Sequence, residues 1–187
     1  ISMAQSGRRT LYIDADLRRP SGHKLMGVPR EPGLVDLLFE TSFGSAESYR
    51  TGTDNLYVLP AGGRSSNPSE LLGSRRMQDL LAYVRREFDM VIVDTSPVLA
   101  VTDAQIVGTM VDATLLVTSA AETTLQGLER SAEALRDIGA EIVGVVLNRF
   151  DAQAAYGGYG SGYGYGYGYG YGYGEYGEQV SSESTLS

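Results

Sequence analysis

Five short apolar runs separated by longer stretches set the limits on what this chain can fold into. They are LYID (11–14), LYVLP (56–60), MVIVD (90–94), ATLLVTS (113–119) and IVGVVLN (142–148). Their length is that of strands, and three of them are apolar without alternation, the pattern of parallel strands covered on both faces by helices. Between them lie GLVDLLFE (33–40), SELLGSRRMQDLLAYVRREF (69–88), TDAQIVGTM (102–110) and TTLQGLERSAEALRDIG (123–139), which read as helices. In the last, Leu125, Leu128, Ala132, Leu135 and Ile138 fall near helical spacing and Gly139 stands where a C-terminal cap belongs. Strands alternating with helices predict an α/β domain with a doubly wound, mostly parallel sheet, whose ligands bind beyond the carboxyl ends of the strands.

The two ends of the chain read differently from its middle. ISMAQSGRR opens on Ile1 and has the look of a helix's last turns, stopped by Gly7, so a longer protein is expected upstream. At the other end, residues 156–177 are almost entirely tyrosine and glycine. Strict alternation from Tyr163 to Tyr173 puts the phenols on one face of any strand, yet glycine at every second position gives the other face nothing to pack. Disorder is the expectation, and the chain divides into a folded domain at 1–151 and a tyrosine-rich tail at 152–187. A glycine-rich coil of about 15 residues spans roughly 20 Å, enough to thread a tyrosine into a neighbouring subunit's site. The competing reading is a low-complexity segment that associates through aromatic contacts.

Charge and composition exclude several function classes. The net charge is −8 and every Lys and Arg lies at or before Arg149, scattered rather than clustered, so no footprint for nucleic acid is visible. Cysteine is absent, which fits a reducing compartment, and no apolar run approaches the roughly 18 residues of a membrane span. With His23 the only histidine, this chain alone builds neither a zinc cluster nor a Ser-His-Asp triad, and His23 reads as a loop or surface residue.

Chemistry concentrates at two strand ends. In YIDADLRRP, continued strand geometry projects Asp14 and Asp16 from one face about 7 Å apart. Bare, they repel by about 2 kcal/mol at an effective dielectric of 20, and a divalent cation or Arg18 relieves this. In VIVDTSP an apolar strand ends in Asp94 and a proline stops it. Either acid alone reads as a turn residue or helix cap, while both on one sheet point to a Mg²⁺-phosphate site. Arg18 and Arg19 are open to two readings, contact with a phosphate or a neighbouring subunit, or a solvated pair steering the loop. Ser69, after Asn67 and Pro68, reads as a helix cap, and Arg75, Arg76, Arg85 and Arg86 as a helix's solvated face.

YIDADLRRP, VIVDTSPVL, LPAGGRSSNPSELLGSRRM (59–77) and VGVVLNRFD (143–151) together resemble the cytoplasmic kinase domain of the bacterial tyrosine kinases that regulate capsule and exopolysaccharide export. The resemblance runs in order through residues 1–151 and extends to the terminal tyrosine cluster. It implies a P-loop NTPase-type fold and a protein-tyrosine autokinase that uses ATP and Mg²⁺. On it, Asp14 and Asp16 hold Mg²⁺ and position the attacking phenol, one of them as proton acceptor, and Asp94 of the Walker B element holds Mg²⁺ directly or through water. Asn148 is implied as a contact to adenine, with Asp151 the other candidate, and Arg18 as a contact to the nucleotide. The implied phosphoacceptors are Tyr156, Tyr159, Tyr163, Tyr165, Tyr167, Tyr169, Tyr171, Tyr173 and Tyr176.

The implied partners are other copies of the chain in a ring that phosphorylates in trans, a membrane activator or polysaccharide co-polymerase segment in the same or a separate chain, and a tyrosine phosphatase. The implied location is the cytoplasmic face of the bacterial inner membrane. One departure matters: no GxxxxGK[ST] phosphate loop occurs, and the only lysine, Lys24, precedes Leu25 without a glycine pattern. The chain as it stands is therefore expected neither to bind ATP tightly nor to turn over. The alternatives are a partitioning or division-site type P-loop ATPase with an incidental tail, and a non-catalytic scaffold of a polysaccharide-export assembly.

Overall fold

A computed structural model describes residues 1–151; the tyrosine-glycine run, its nine candidate acceptors and the tail beyond Asp151 lie outside the described residues. The elements in order are α1 (Ser2–Gln5), β1 (Thr10–Asp14), α2 (Gly22–Met26), α3 (Leu34–Phe39), a 3₁₀ turn (Ala46–Tyr49), β2 (Leu56–Leu59), α4 (Pro68–Leu72), α5 (Arg75–Glu87), β3 (Met90–Asp94), α6 (Asp103–Gly108), β4 (Thr114–Ser119), α7 (Leu125–Asp137) and β5 (Ile142–Asn148). All five predicted strands are present and every pairing between them is parallel. α1 ends as its sequence requires: Gly7 takes φ +87° and its N–H donates to Ala4 O at 2.9 Å.

The expected α/β architecture with parallel strands is present, its strand pairings falling into two groups. β1 lies between β2 and β3, and β4 pairs with β5 alone, so among the described residues β3 and β4 each keep one edge without a strand partner. The main core packs Leu11, Ile13, Leu59, Leu72, Leu80 and their neighbours between the first sheet and its helices, while Leu116, Ala132, Leu135 and Ala140 form a smaller cluster under α7. Coverage on both faces is realised for β2 and nearly so for β1. It is not realised for the other three strands, where Ile92, Leu115, Val117, Val143 and Val145 remain exposed. No helix among the described residues is long and apolar enough to cross a membrane.

The helix expected over 69–88 is two. α4 stops at Gly73, and Ser74 starts α5 by accepting the N–H of Met77 on its hydroxyl at 3.2 Å. Met77, Leu80 and Val84 then bury one face of α5. On the opposite face Arg75 pairs with Asp79 and Arg85 with Asp112, both in solvent. Arg76 departs from the solvated-face reading, because its guanidinium lies 3.7 Å from the centre of the Phe43 ring.

Candidate functional site

The parallel register of β1 and β3 sets Asp14 beside Asp94 at the carboxyl ends of both strands. Asp14 is 1% exposed and each of its oxygens accepts a backbone N–H, from Gly22 at 2.7 Å and from Asp16 at 3.2 Å. Burial pushes its carboxyl above the ordinary value, with the charges of Asp94 and Asp16 adding to the effect and the two N–H donors opposing it. The loop reaches Asp14 so closely because position 22 has no side chain. A Cβ there would stand 2.9 Å from the Asp14 carboxylate and 2.7 Å from the Tyr12 ring.

Asp16 accepts three bonds on one oxygen, from Ser96 Oγ at 2.7 Å and from the N–H groups of Arg19 at 3.0 Å and Arg18 at 3.2 Å. It therefore does the turn-forming work of an Asx residue while remaining at the strand-end crevice. Asp94 is exposed, and one of its oxygens accepts the Tyr12 hydroxyl at 2.7 Å. Burial first, then that bond and the surrounding aspartates, holds the Tyr12 phenol well above its ordinary value, in its neutral donor form.

The Arg18 guanidinium makes its hydrogen bonds to neither Asp14 nor Asp16, although its charge acts on Asp16. The guanidinium turns to Asp103, with Nε at 2.7 Å from one oxygen and Nη2 at 3.1 Å from the other, a bidentate pair. Ser69 completes the group, donating to Asp103 at 2.6 Å and accepting from Arg18 Nη2 at 3.0 Å. It is not a helix cap: α4 begins at Pro68 after Asn67, and the Ser69 hydroxyl is used in this network instead. Asp103 is fully buried, which by itself raises its carboxyl, but the bonds from Arg18 and Ser69 and the positive charge of Arg18 outweigh burial and hold it below the usual range. Sequence reasoning missed Asp103, Ser96 and Tyr12 as parts of the site.

Asn148 ends β5 on the other sheet, beside Ser119, and its side-chain oxygen accepts the N–H of Arg149 at 2.9 Å. It is not brought against the three acids by any of these bonds. Among the described residues no trio of Asp, Glu, His or Cys converges as a ready cation cage. Mg²⁺ does not need one, since it is commonly held by one or two carboxylates together with water and phosphate oxygens. Asp94, exposed and held at one oxygen, fits that part of a site, with Asp14 and Asp16 beside it. No glycine-rich loop with a lysine, the element that cradles a triphosphate in P-loop proteins, accompanies them in the sequence.

Residues 1–144 match the family model described as AAA domain. The chain is 38% identical over 159 residues to tyrosine-protein kinase wzc of Salmonella typhi, covering 84% of this chain and 22% of that protein. It is 35% identical over 163 residues to tyrosine-protein kinase YwqD of Bacillus subtilis, covering 86% of this chain and 69% of that protein. The kinase domain of Escherichia coli tyrosine kinase ETK superposes with a TM-score of 0.74 at 36% identity, over 89% of this chain and 63% of that one. The chain thus spans about a fifth of one relative's length and about two thirds of the other's.

Proposed function

The chain belongs to the bacterial tyrosine-protein kinases with a P-loop NTPase-type AAA domain, and on that premise we propose that it is the metal-binding part of an autokinase that phosphorylates its own terminal tyrosines. The observation that carries this reading is the pairing of Asp14 with Asp94 at adjacent strand ends, with Asp16 two residues after Asp14 and a run of tyrosines following the domain. Mg²⁺, when bound, supplies neutralisation of charge on the phosphoryl group in transfer. Asp94 holds it, directly or through water. Asp16, fixed by three donors on one oxygen, keeps the crevice anionic and rigid, and one of the pair Asp14 and Asp16 orients the incoming phenol and takes its proton. No GxxxxGK[ST] phosphate cradle occurs in these 187 residues.

The same reading assigns the tail tyrosines of one copy to the site of its neighbour in a ring. It places the domain at the cytoplasmic face of the inner membrane, working with an activator or co-polymerase segment in the control of capsule or exopolysaccharide export and reset by a tyrosine phosphatase. Incubation of the natural-length protein with Mg²⁺ and ATP, followed by phosphopeptide mapping, tests the central claim. Phosphate is expected on several tyrosines between Tyr156 and Tyr176 and is lost in Asp94→Asn. ATP hydrolysis with an unmodified tail overturns it in favour of a partitioning-type ATPase.

A further inference from the structure

Tyr12 is used by nothing in the reaction as described, yet it is the group in closest polar contact with Asp94. It lies two residues before Asp14 and so projects from the same face of β1. The register pairs Tyr12 with Ile92 and Asp14 with Asp94, which leaves the phenol diagonal to Asp94 and within its reach. The bond is 2.7 Å long and ends on one oxygen only. The loop backbone at Gly22 comes close to the ring, so that a Cβ there would stand 2.7 Å from it. Gly22 thereby seats both strand ends: its N–H holds Asp14 at 2.7 Å, and its missing side chain makes room for the ring that holds Asp94.

An exposed aspartate beside a buried one is pushed outward by like charge, and its carboxylate has no reason to keep one rotamer. A neutral hydroxyl donor supplies that reason without adding a competing positive charge. We propose that Tyr12 is a positioning residue for the metal site, clamping one oxygen of Asp94 through its phenol so that the other is presented to the divalent cation. This rests on the reading of Asp94 as a metal holder. Partners that orient a metal ligand commonly change metal affinity by about 10-fold to 100-fold when removed.

The experiment uses the natural-length protein as wild type, Tyr12→Phe and Asp94→Asn, with binding of Mn²⁺ alone followed by electron paramagnetic resonance and tail phosphorylation measured against Mg²⁺ concentration. Tyr12→Phe is expected to weaken Mn²⁺ binding about 10-fold and to raise the Mg²⁺ requirement by a similar factor. Its unfolding midpoint is expected to stay close to that of wild type, and raising Mg²⁺ is expected to recover the lost phosphorylation, since the clamp acts only through the metal ligand. A purely structural role for Tyr12 shows the reverse, a lower kcat or unfolding midpoint with Mn²⁺ affinity unchanged, and overturns the proposal. Mn²⁺ binding lost in Asp94→Asn but unchanged in Tyr12→Phe overturns the clamp alone. Mn²⁺ binding unchanged in both overturns the metal reading of Asp94, and the proposal with it.

Discussion

Asp103 is a carboxylate with no exposure, and it stays ionised because Arg18 meets it in a bidentate pair and Ser69 donates a third bond. Those partners come from the loop after β1 and the start of α4, so one side chain at the head of α6 ties three segments around the crevice. Its folded carboxyl lies below the ordinary value, so its stabilising contribution is complete above about pH 4 and is lost as pH falls through the folded value. Asp14 works in the opposite sense. Its carboxyl is raised, so keeping it charged costs stability above the folded value, and that cost eases as pH falls through the folded value and is gone below about pH 4. Asp103→Asn keeps the volume and loses the charge; it is expected to lower the urea midpoint at pH 7 and to flatten the acid limb below about pH 4. An acid limb as steep as that of wild type counts against this assignment. Asp14 and Asp94 could be found in the sequence because each closes an apolar run. Asp103 could not, because its partners are 85 and 34 positions away and only the fold brings them together.

At the scale of elements, the predicted helix over 33–40 appears as α3, but what fixes its start lies in another segment. Leu34 and Val35 donate to the carbonyls of Pro60 and Ala61 at 2.7 and 2.9 Å, and the Asp36 carboxylate accepts the N–H groups of Gly33 at 2.8 Å and Gly63 at 3.2 Å. The loop after β2 is thus laced to the first turn of α3. A Cβ at Gly33 would run into the backbone of Pro60 and Gly62, which no side-chain rotation relieves. Gly33→Ala is therefore expected to cost about 3 kcal/mol, the upper end for overpacking, in urea unfolding. A change within about 0.5 kcal/mol, the range of an ordinary surface substitution, sinks the argument. The break between α4 and α5 escaped the sequence reading for a related reason. Apolar spacing continues across Gly73, and the only local sign was Gly followed by Ser, whose hydroxyl caps the second helix.

At the scale of the whole described domain, the apolar side chains divide between two layers of unequal depth. The main cluster joins β1 and β2 to α3 and α5, whereas Leu116, Ala132, Leu135 and Ala140 are the buried residues that hold β4 and β5 to α7. IVGVVLN reads as a strand covered on both faces, yet Val143, Val145, Val146 and Leu147 are exposed. Apolar periodicity reports which side chains can be buried, not which neighbours bury them. Segments with few buried contacts open at lower free energy than the core, so amide hydrogen exchange in β4 and β5 is expected to be faster than in β1. Substitution separates the layers further. Leu80→Ala, in the main core, is expected to cost about 2–5 kcal/mol and to accelerate exchange everywhere, because the opening it favours is global. Leu135→Ala removes a side chain of equal size, also with no exposure, and is expected to accelerate exchange in β4, β5 and α7 while leaving β1 protected. If both variants raise exchange uniformly along the chain, the two layers unfold as one cooperative unit. The strand ends bearing Asp14 and Asp94 are then no more rigid than the β4–β5 layer, and the site owes its order to local hydrogen bonds rather than to the depth of the core beneath it.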